Sequence, residues 1–153
     1  MTPRFAPFKV APDLIKALAA VETALGATTI EHGLGELVRL RASQINGCAF
    51  CIHMHTTDAR AHGETEMRLY MLNAWRESSL YTDRERAALA WTETLTRIGK
   101  THAPDADYDA VKNQFSEAEI TALTVMIGQI NSWNRLQIAA RAAHPVQPAT
   151  AVA

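Results

Sequence analysis

The sequence predicts an all-α fold, a compact helical domain, on three observations. Apolar residues recur at spacings of three and four in successive segments. Two Ser/Thr-x-x-Glu signatures mark helix starts. No segment alternates apolar and polar residues as a half-buried strand would. In chain order, the first helix is expected over Asp13–Leu25, where Leu14, Ala17, Leu18, Val21 and Leu25 form one stripe. The second is expected over Ile30–Ile45, with Ile30, Leu34, Leu37, Val38 and Ile45 inward. Asn46-Gly47 then supplies a stop, because both residues tolerate the left-handed conformation that closes helices. A third helix is expected over Cys48–His62, ended by Gly63, and a shorter one over Glu64–Trp75 with Met67, Tyr70, Met71 and Trp75 facing in. The capping box Thr82-Asp-Arg-Glu85 opens a helix to about Gly99, and Pro104 introduces a weaker one over Asp105–Phe115. A second capping box, Ser116-Glu-Ala-Glu119, starts a long helix with Ile120, Leu123, Ile127 and Ile130 on one side. From His144 onward, two prolines and small residues predict a flexible tail. No repeat or linker divides the chain, so residues 1–153 read as one domain with its core over about 13–143.

Composition bounds the function. Of 153 residues, 48% are apolar, enough for a buried core, while Lys+Arg 15 nearly balances Asp+Glu 16. That balance argues against nucleic acid and against an anionic membrane surface as partners. Lys9, Asp13, Lys16 and Glu22 interrupt the N-terminal region, so it carries no signal-peptide pattern, and no uncharged run is long enough to span a bilayer. The expectation is a cytoplasmic protein, where thiols are held reduced and a close cysteine pair points to catalysis or metal binding rather than a structural staple.

The two cysteines of the chain lie together in INGCAFCIHMH, residues 45–55. With Cys48 in the first helical turn, Cys51 falls one turn along the same side and His55 one turn further. Unpaired amides at a helix start carry partial positive charge and favour thiolate over thiol. The i,i+3 spacing brings the two sulfurs within reach of a disulfide. An imidazole beside Cys51 can take or deliver protons near neutral pH. These features describe a dithiol set up for attack and for closure.

Other readings compete. Structural zinc takes four ligands, usually from two separated pairs, and no second cysteine pair exists here. Covalent haem attachment needs CxxCH, and Ile52 stands where that histidine belongs. A thioredoxin-type CxxC belongs near a βαβ pattern, which is absent. Simple packing of two small hydrophobes stays open. Ser43 and Asn46 are expected to fix the helix junction, and Asn131, Asn134 and Arg135 to anchor the CxxC helix through hydrogen bonds. Trp75, Trp91 and Trp133 are expected in the core or in subunit contacts. His32, His53, His62, His102 and His144 show no constellation.

The segment RASQINGCAFCIHMHTTDARAHGE, residues 41–64, resembles the carboxymuconolactone decarboxylase family in its alkylhydroperoxidase D-like branch. That family's pattern is a Glu twelve residues before a CxxC and a His four after the second Cys; Glu36, Cys48, Cys51 and His55 match it. Similarity extends through LYMLNAWRESSLYTDRERAALAWTETLTRI and INSWNRL, most of residues 36–136. The resemblance implies an all-helical fold assembling into homo-trimers or homo-hexamers, and a hydroperoxidase that cycles the pair between dithiol and disulfide. It implies Glu36 and His55 as a proton relay, Cys51 as the attacking sulfur and Cys48 as the resolving one. The helix-start argument alone favours Cys48 as the more acidic thiol. Small hydroperoxides are the implied substrates and a thioredoxin-like or lipoyl-type dithiol the implied reductant, with no cofactor and no metal required. The chain departs from alkylhydroperoxidase D at Phe50, where that protein has a second histidine, so the site is more apolar. A decarboxylase role is disfavoured, because the decarboxylase branch works without the cysteine pair. A redox sensor, or a disulfide reductase, using the same CxxC without peroxide turnover is the alternative function.

Overall fold

The computed structural model describes residues 2–145; the expectations for the tail from 146 on lie outside the described residues. Nine α-helices and one 3₁₀ turn, with no strand, make up the described residues: α1 (Pro7–Val10), α2 (Pro12–Gly26), α3 (His32–Asn46), α4 (Ala49–Ala61), α5 (Glu66–Met71), the 3₁₀ turn Leu72–Ala74, α6 (Asp83–Thr96), α7 (Ile98–Thr101), α8 (Asp105–Lys112) and α9 (Glu117–Ala140).

The centre of the fold is α3, which packs against α4, α6 and α9. It buries Leu34 through Val38 and Leu40 through Ser43, so it is covered on nearly every side rather than along one stripe. One flank meets Leu25, Ala88, Trp91, Val111, Phe115, Leu123 and Ile127 from α2, α6, α8, α9 and the loop between the last two. Another meets Ala59, Leu69, Leu72, Trp75, Tyr81 and Leu89. A third, smaller cluster joins Ala42 to Cys48, Cys51 and Ile130 and carries the CxxC.

A helix buried all round should be apolar all round, yet α3 buries Glu36, Arg41 and Ser43. Each has a partner, which is what makes such burial tolerable. Arg41 donates through Nε to Glu93 Oε1 at 2.9 Å and through Nη1 to Asn73 Oδ1 at 2.6 Å, and Trp75 Nε1 donates to the same Glu93 oxygen at 2.9 Å. This network ties α3 to α6 and to the turn after α5. Ser43 Oγ donates to Arg39 O and accepts from Asn134 Nδ2, joining α3 to α9.

Both capping boxes are present, Thr82 with Glu85 and Ser116 with Glu119. Three expectations need correction. Met67, Tyr70 and Met71 are exposed, at 59%, 70% and 36%, while Trp75 is buried as expected. The reason is that α5 is only six residues long, capped at Thr65, and the chain then turns as a 3₁₀ segment that shifts the inward face to Leu69 and Leu72. Leu14 faces solvent and Ile15 is buried instead, because α2 starts at Pro12 and packs chiefly on α9. The helix from Thr82 closes at Arg97, and a separate short turn, α7, follows.

Gly47 adopts φ 69°, and its N–H and that of Cys48 return to Gln44 O and Ser43 O. This left-handed closure reverses the chain between α3 and α4 and delivers Cys48 to the head of α4. A Cβ at Gly47 would meet nothing within 4 Å, so any penalty is conformational. Gly47→Ala is expected to cost about 1–2 kcal/mol of stability, read by denaturant unfolding at unchanged slope.

Candidate active site

Cys48 is the N-cap of α4, in extended conformation, one position before the first helical turn expected from the sequence. Its sulfur lies 2.8 Å from that of Cys51, and both residues are 1% exposed. Behind the pair, Asn46 Nδ2 donates to Asn131 Oδ1 at 2.9 Å and to Asn134 Oδ1 at 2.8 Å. Asn131 in turn donates to Ile127 O, and Arg135 to Asn131 O. The NSWNR segment of α9 therefore holds the α3–α4 junction as the sequence suggests, with Asn134 also reaching the thiols.

The two thiols are not equivalent. Cys48 is drawn down to about 7, first by the hydrogen bond from Cys51, against the opposing effect of burial, and further by the N–H groups of Cys51 and Phe50 and by Asn134. These amides are the unpaired donors of the α4 N-terminus. Cys51 is pushed far up, first by its hydrogen bond to Cys48, then by burial and by the Cys48 charge. One proton is thus shared by two sulfurs, and the pair titrates as a unit. A thiolate titration by ultraviolet absorbance is expected to show one thiolate per chain with a midpoint at about 7. Cys51→Ala, which removes the principal donor, moves that midpoint upward.

Glu36 and His55, on α3 and α4, meet at 2.8 Å between Oε2 and Nδ1 and are 6% and 5% exposed. A carboxylate only accepts, so Nδ1 carries a proton toward Glu36, and an unprotonated Nε2 would present its lone pair. Among the described residues no group hydrogen-bonds that buried Nε2. Burial pushes Glu36 up, but the hydrogen bond and charge of His55, with Arg39 and His32, outweigh it and hold the carboxyl below its usual range. Arg39 Nη1 reaches Glu36 Oε1 at 3.4 Å and Nη2 reaches Glu22 Oε2 at 3.2 Å.

Glu36, Cys51 and His55 line one cavity of about 580 Å³; Cys48 does not line it and sits behind Cys51. The structure thus brings the four expected residues into two contacting pairs, with three of the four facing the same space. The sequence reading missed Arg39 and Glu22, whose signal was the i,i+3 spacing of Arg39 from Glu36. It also placed Trp133 in the core or a subunit contact. Trp133 lines the cavity, with Phe8 of α1 stacked on it at 6.5 Å between ring centroids. Phe50 lines the cavity as well. His32 is not isolated: its ring lies 4.0 Å from that of His62, and it too borders the cavity. Among the described residues, the group with metal-ligand spacing is Glu36, His55 and Asp58, and neither cysteine belongs to it.

Comparison with known proteins agrees with this architecture. Residues 12–94 match the carboxymuconolactone decarboxylase family. The chain is 42% identical over 139 residues to the uncharacterized protein YdfG of Bacillus subtilis, covering 91% of this chain and 95% of that one. Among solved structures, a protein of unknown function from Agrobacterium tumefaciens, described with a suggested antioxidant defence role as AhpD, superposes with TM-score 0.93 at 41% identity, covering 95% of this chain and 100% of that one. A Ralstonia eutropha JMP134 protein with an alkylhydroperoxidase AhpD core shares the fold at TM-score 0.79 and 17% identity, over 90% of this chain and 74% of that one. Among the described residues no helix is long and apolar enough to cross a membrane. With the family match spanning more than half the chain and the AhpD-like fold around the CxxC, the protein belongs to the carboxymuconolactone decarboxylase family, in its alkylhydroperoxidase D-like branch.

Proposed function

We propose that this protein is a thiol-dependent hydroperoxide reductase that cycles Cys48 and Cys51 between dithiol and disulfide. The observation that carries the reading is the buried, partnerless Nε2 of His55, held in its accepting tautomer by Glu36 and bordering the same cavity as Cys51. An imidazole nitrogen able to accept, on a residue that lines the same cavity as a sulfur with a raised pKa, fits removal of that sulfur's proton.

From the dithiol, Nε2 takes the Cys51 proton as the sulfur attacks the distal oxygen of ROOH. The O–O bond breaks, Cys51 becomes a sulfenic acid, and the proton returns from His55 to the departing alkoxide as ROH. With Cys48 protonated, the 2.8 Å contact lets its S–H donate to the charge developing on Cys51. Cys48, the more acidic thiol, then loses its proton and attacks the sulfenic sulfur. The disulfide forms, and the departing hydroxide takes up that proton as water. The sum is dithiol plus ROOH giving disulfide, ROH and water. An external dithiol restores the pair by exchange. Because both sulfurs are almost fully covered, that reductant must be slender enough to enter by the cavity, which favours a lipoyl-type arm over the face of a thioredoxin-like protein. The reducing cytoplasm suits this cycle. The trimeric or hexameric assembly implied by the family is part of the same proposal.

The test is peroxide-dependent consumption of a dithiol, with cumene hydroperoxide and dihydrolipoamide, together with mass spectrometry of the 48/51 peptide. Many cycles per chain support the enzyme. A single oxidation without turnover would point to the sensor instead.

A further inference from the structure

The cavity that the proposed peroxidase reading assigns to substrate has an uneven charge distribution. Phe50, Met54, Met126 and Trp133 give it a largely apolar wall. Its titratable lining consists of Glu22, Glu31, Glu36, Arg39, His32, His55 and Cys51. The carboxylate of Glu31 is taken by Arg84, which approaches at 3.0 and 3.2 Å. Among the described residues Arg39 is the one guanidinium on the wall, and two carboxylates claim it: Glu22 at 3.2 Å and Glu36 at 3.4 Å. Glu22 is itself fixed, since Trp133 Nε1 donates to its other oxygen at 3.0 Å. Gly35 keeps the arrangement open, because a Cβ there would stand 2.9 Å from Arg39 Nη1.

Two carboxylates against one guanidinium leave an excess negative charge beside an apolar cavity. The two imidazoles offset it only when protonated. In a region of reduced dielectric such an excess repels an incoming anion strongly. An arginine in a substrate cavity would ordinarily suggest a carboxylate anchor; here both faces of its fork are already occupied.

We infer that this site selects neutral, apolar hydroperoxides of aromatic size and rejects those bearing a carboxylate, with Glu22 as the residue that sets the selection by occupying Arg39. The inference rests on the cavity being the substrate site, and it extends to any neutral apolar occupant. Hydrogen peroxide, which fills little of about 580 Å³ and gains nothing from the apolar wall, is a poor substrate on the same grounds.

The test uses a matched pair that differs in charge at one group. Methyl 4-isopropylbenzoate and 4-isopropylbenzoate are titrated into the reduced protein at about pH 8, where free imidazole is neutral. Binding is followed by the fluorescence of Trp133, the tryptophan on the cavity wall. The ester is expected to bind about tenfold or more tightly than the carboxylate at low salt, with Glu22→Gln narrowing the ratio to about threefold or less. A parallel kinetic arm compares cumene hydroperoxide with its 4-carboxy derivative by kcat/KM and is expected to show the same order. The inference is overturned if the carboxylate binds as well as the ester, if neither binds, or if Glu22→Gln leaves the ratio unchanged. The wild-type comparison stands even where the variant fails to fold. If the ester preference holds while no hydroperoxide is turned over, the peroxidase reading falls and the selection stands.

Discussion

Cys51→Ser is expected to lower hydroperoxide turnover by at least about 10³-fold while leaving the fold unchanged, the scale on which loss of a covalent nucleophile is felt. The cavity lining decides why this residue and not its neighbour. Acidity favours Cys48, which is drawn down to about 7, whereas Cys51 is pushed up. Access favours Cys51, which borders the cavity where Cys48 does not. A thiolate that meets no substrate cannot attack it, so under the proposed mechanism access sets the order and the acidity of Cys48 serves the second step. The two serine variants should therefore fail differently. Cys51→Ser leaves no thiol facing the cavity and shows neither turnover nor a burst. Cys48→Ser performs one attack and stalls as a sulfenic acid, trapped by dimedone and weighed by mass spectrometry. The reverse pattern, with sulfenic acid on Cys48 in the Cys51→Ser protein, would overturn the assignment.

Glu36→Gln is expected to cost about 10²–10⁴ in kcat, the range for losing a positioned acid–base system. Glutamine fills nearly the same space, but its amide can donate to Nδ1 and so favour the wrong imidazole tautomer, with the proton on Nε2. The 2.8 Å contact to His55 would survive in a form useless for taking a thiol proton. The pH dependence follows with its sign. The Glu36 carboxyl is held below its usual range, so its ionised form stabilises the native protein. That stabilisation is fully present above the ordinary carboxylate value and is lost as pH falls through the lowered one. The Glu36 carboxylate that orients His55 should therefore persist on the acid side until below the usual carboxylate range. In Glu36→Gln the corresponding acid-side drop in stability disappears. Measuring Tm and kcat across acid pH for both proteins checks the pair of statements. A Gln variant with unchanged kcat would remove Glu36 from the relay.

Particular residues show how the sequence and the structure divide the account. Thr82-Glu85 and Ser116-Glu119 named two helix starts correctly because a capping box is a local device: its hydrogen bonds close within four residues. Asn46-Gly47 marked the α3–α4 junction for the same reason, since the left-handed closure depends on one glycine. The spacing placed Cys51 and His55 on one face of α4, with Cys48 as the N-cap before the first turn, and the family pattern added Glu36 to the candidate site. The stripe at Met67, Tyr70 and Met71 misled, because six residues are too few for periodicity to separate an inward face from an outward one.

What the sequence by itself determined is what short-range chemistry determines: an all-helical chain, where its main helices begin and stop, and a dithiol at a helix start with an imidazole one turn on. Only the tertiary structure decided which sulfur meets the cavity, that Glu36 lies 2.8 Å from His55, and that Glu22 and Trp133 close around Arg39. Those contacts join α2, α3, α4 and α9 across separations of 17 to 111 residues, where no spacing rule operates and packing alone sets which polar atoms meet.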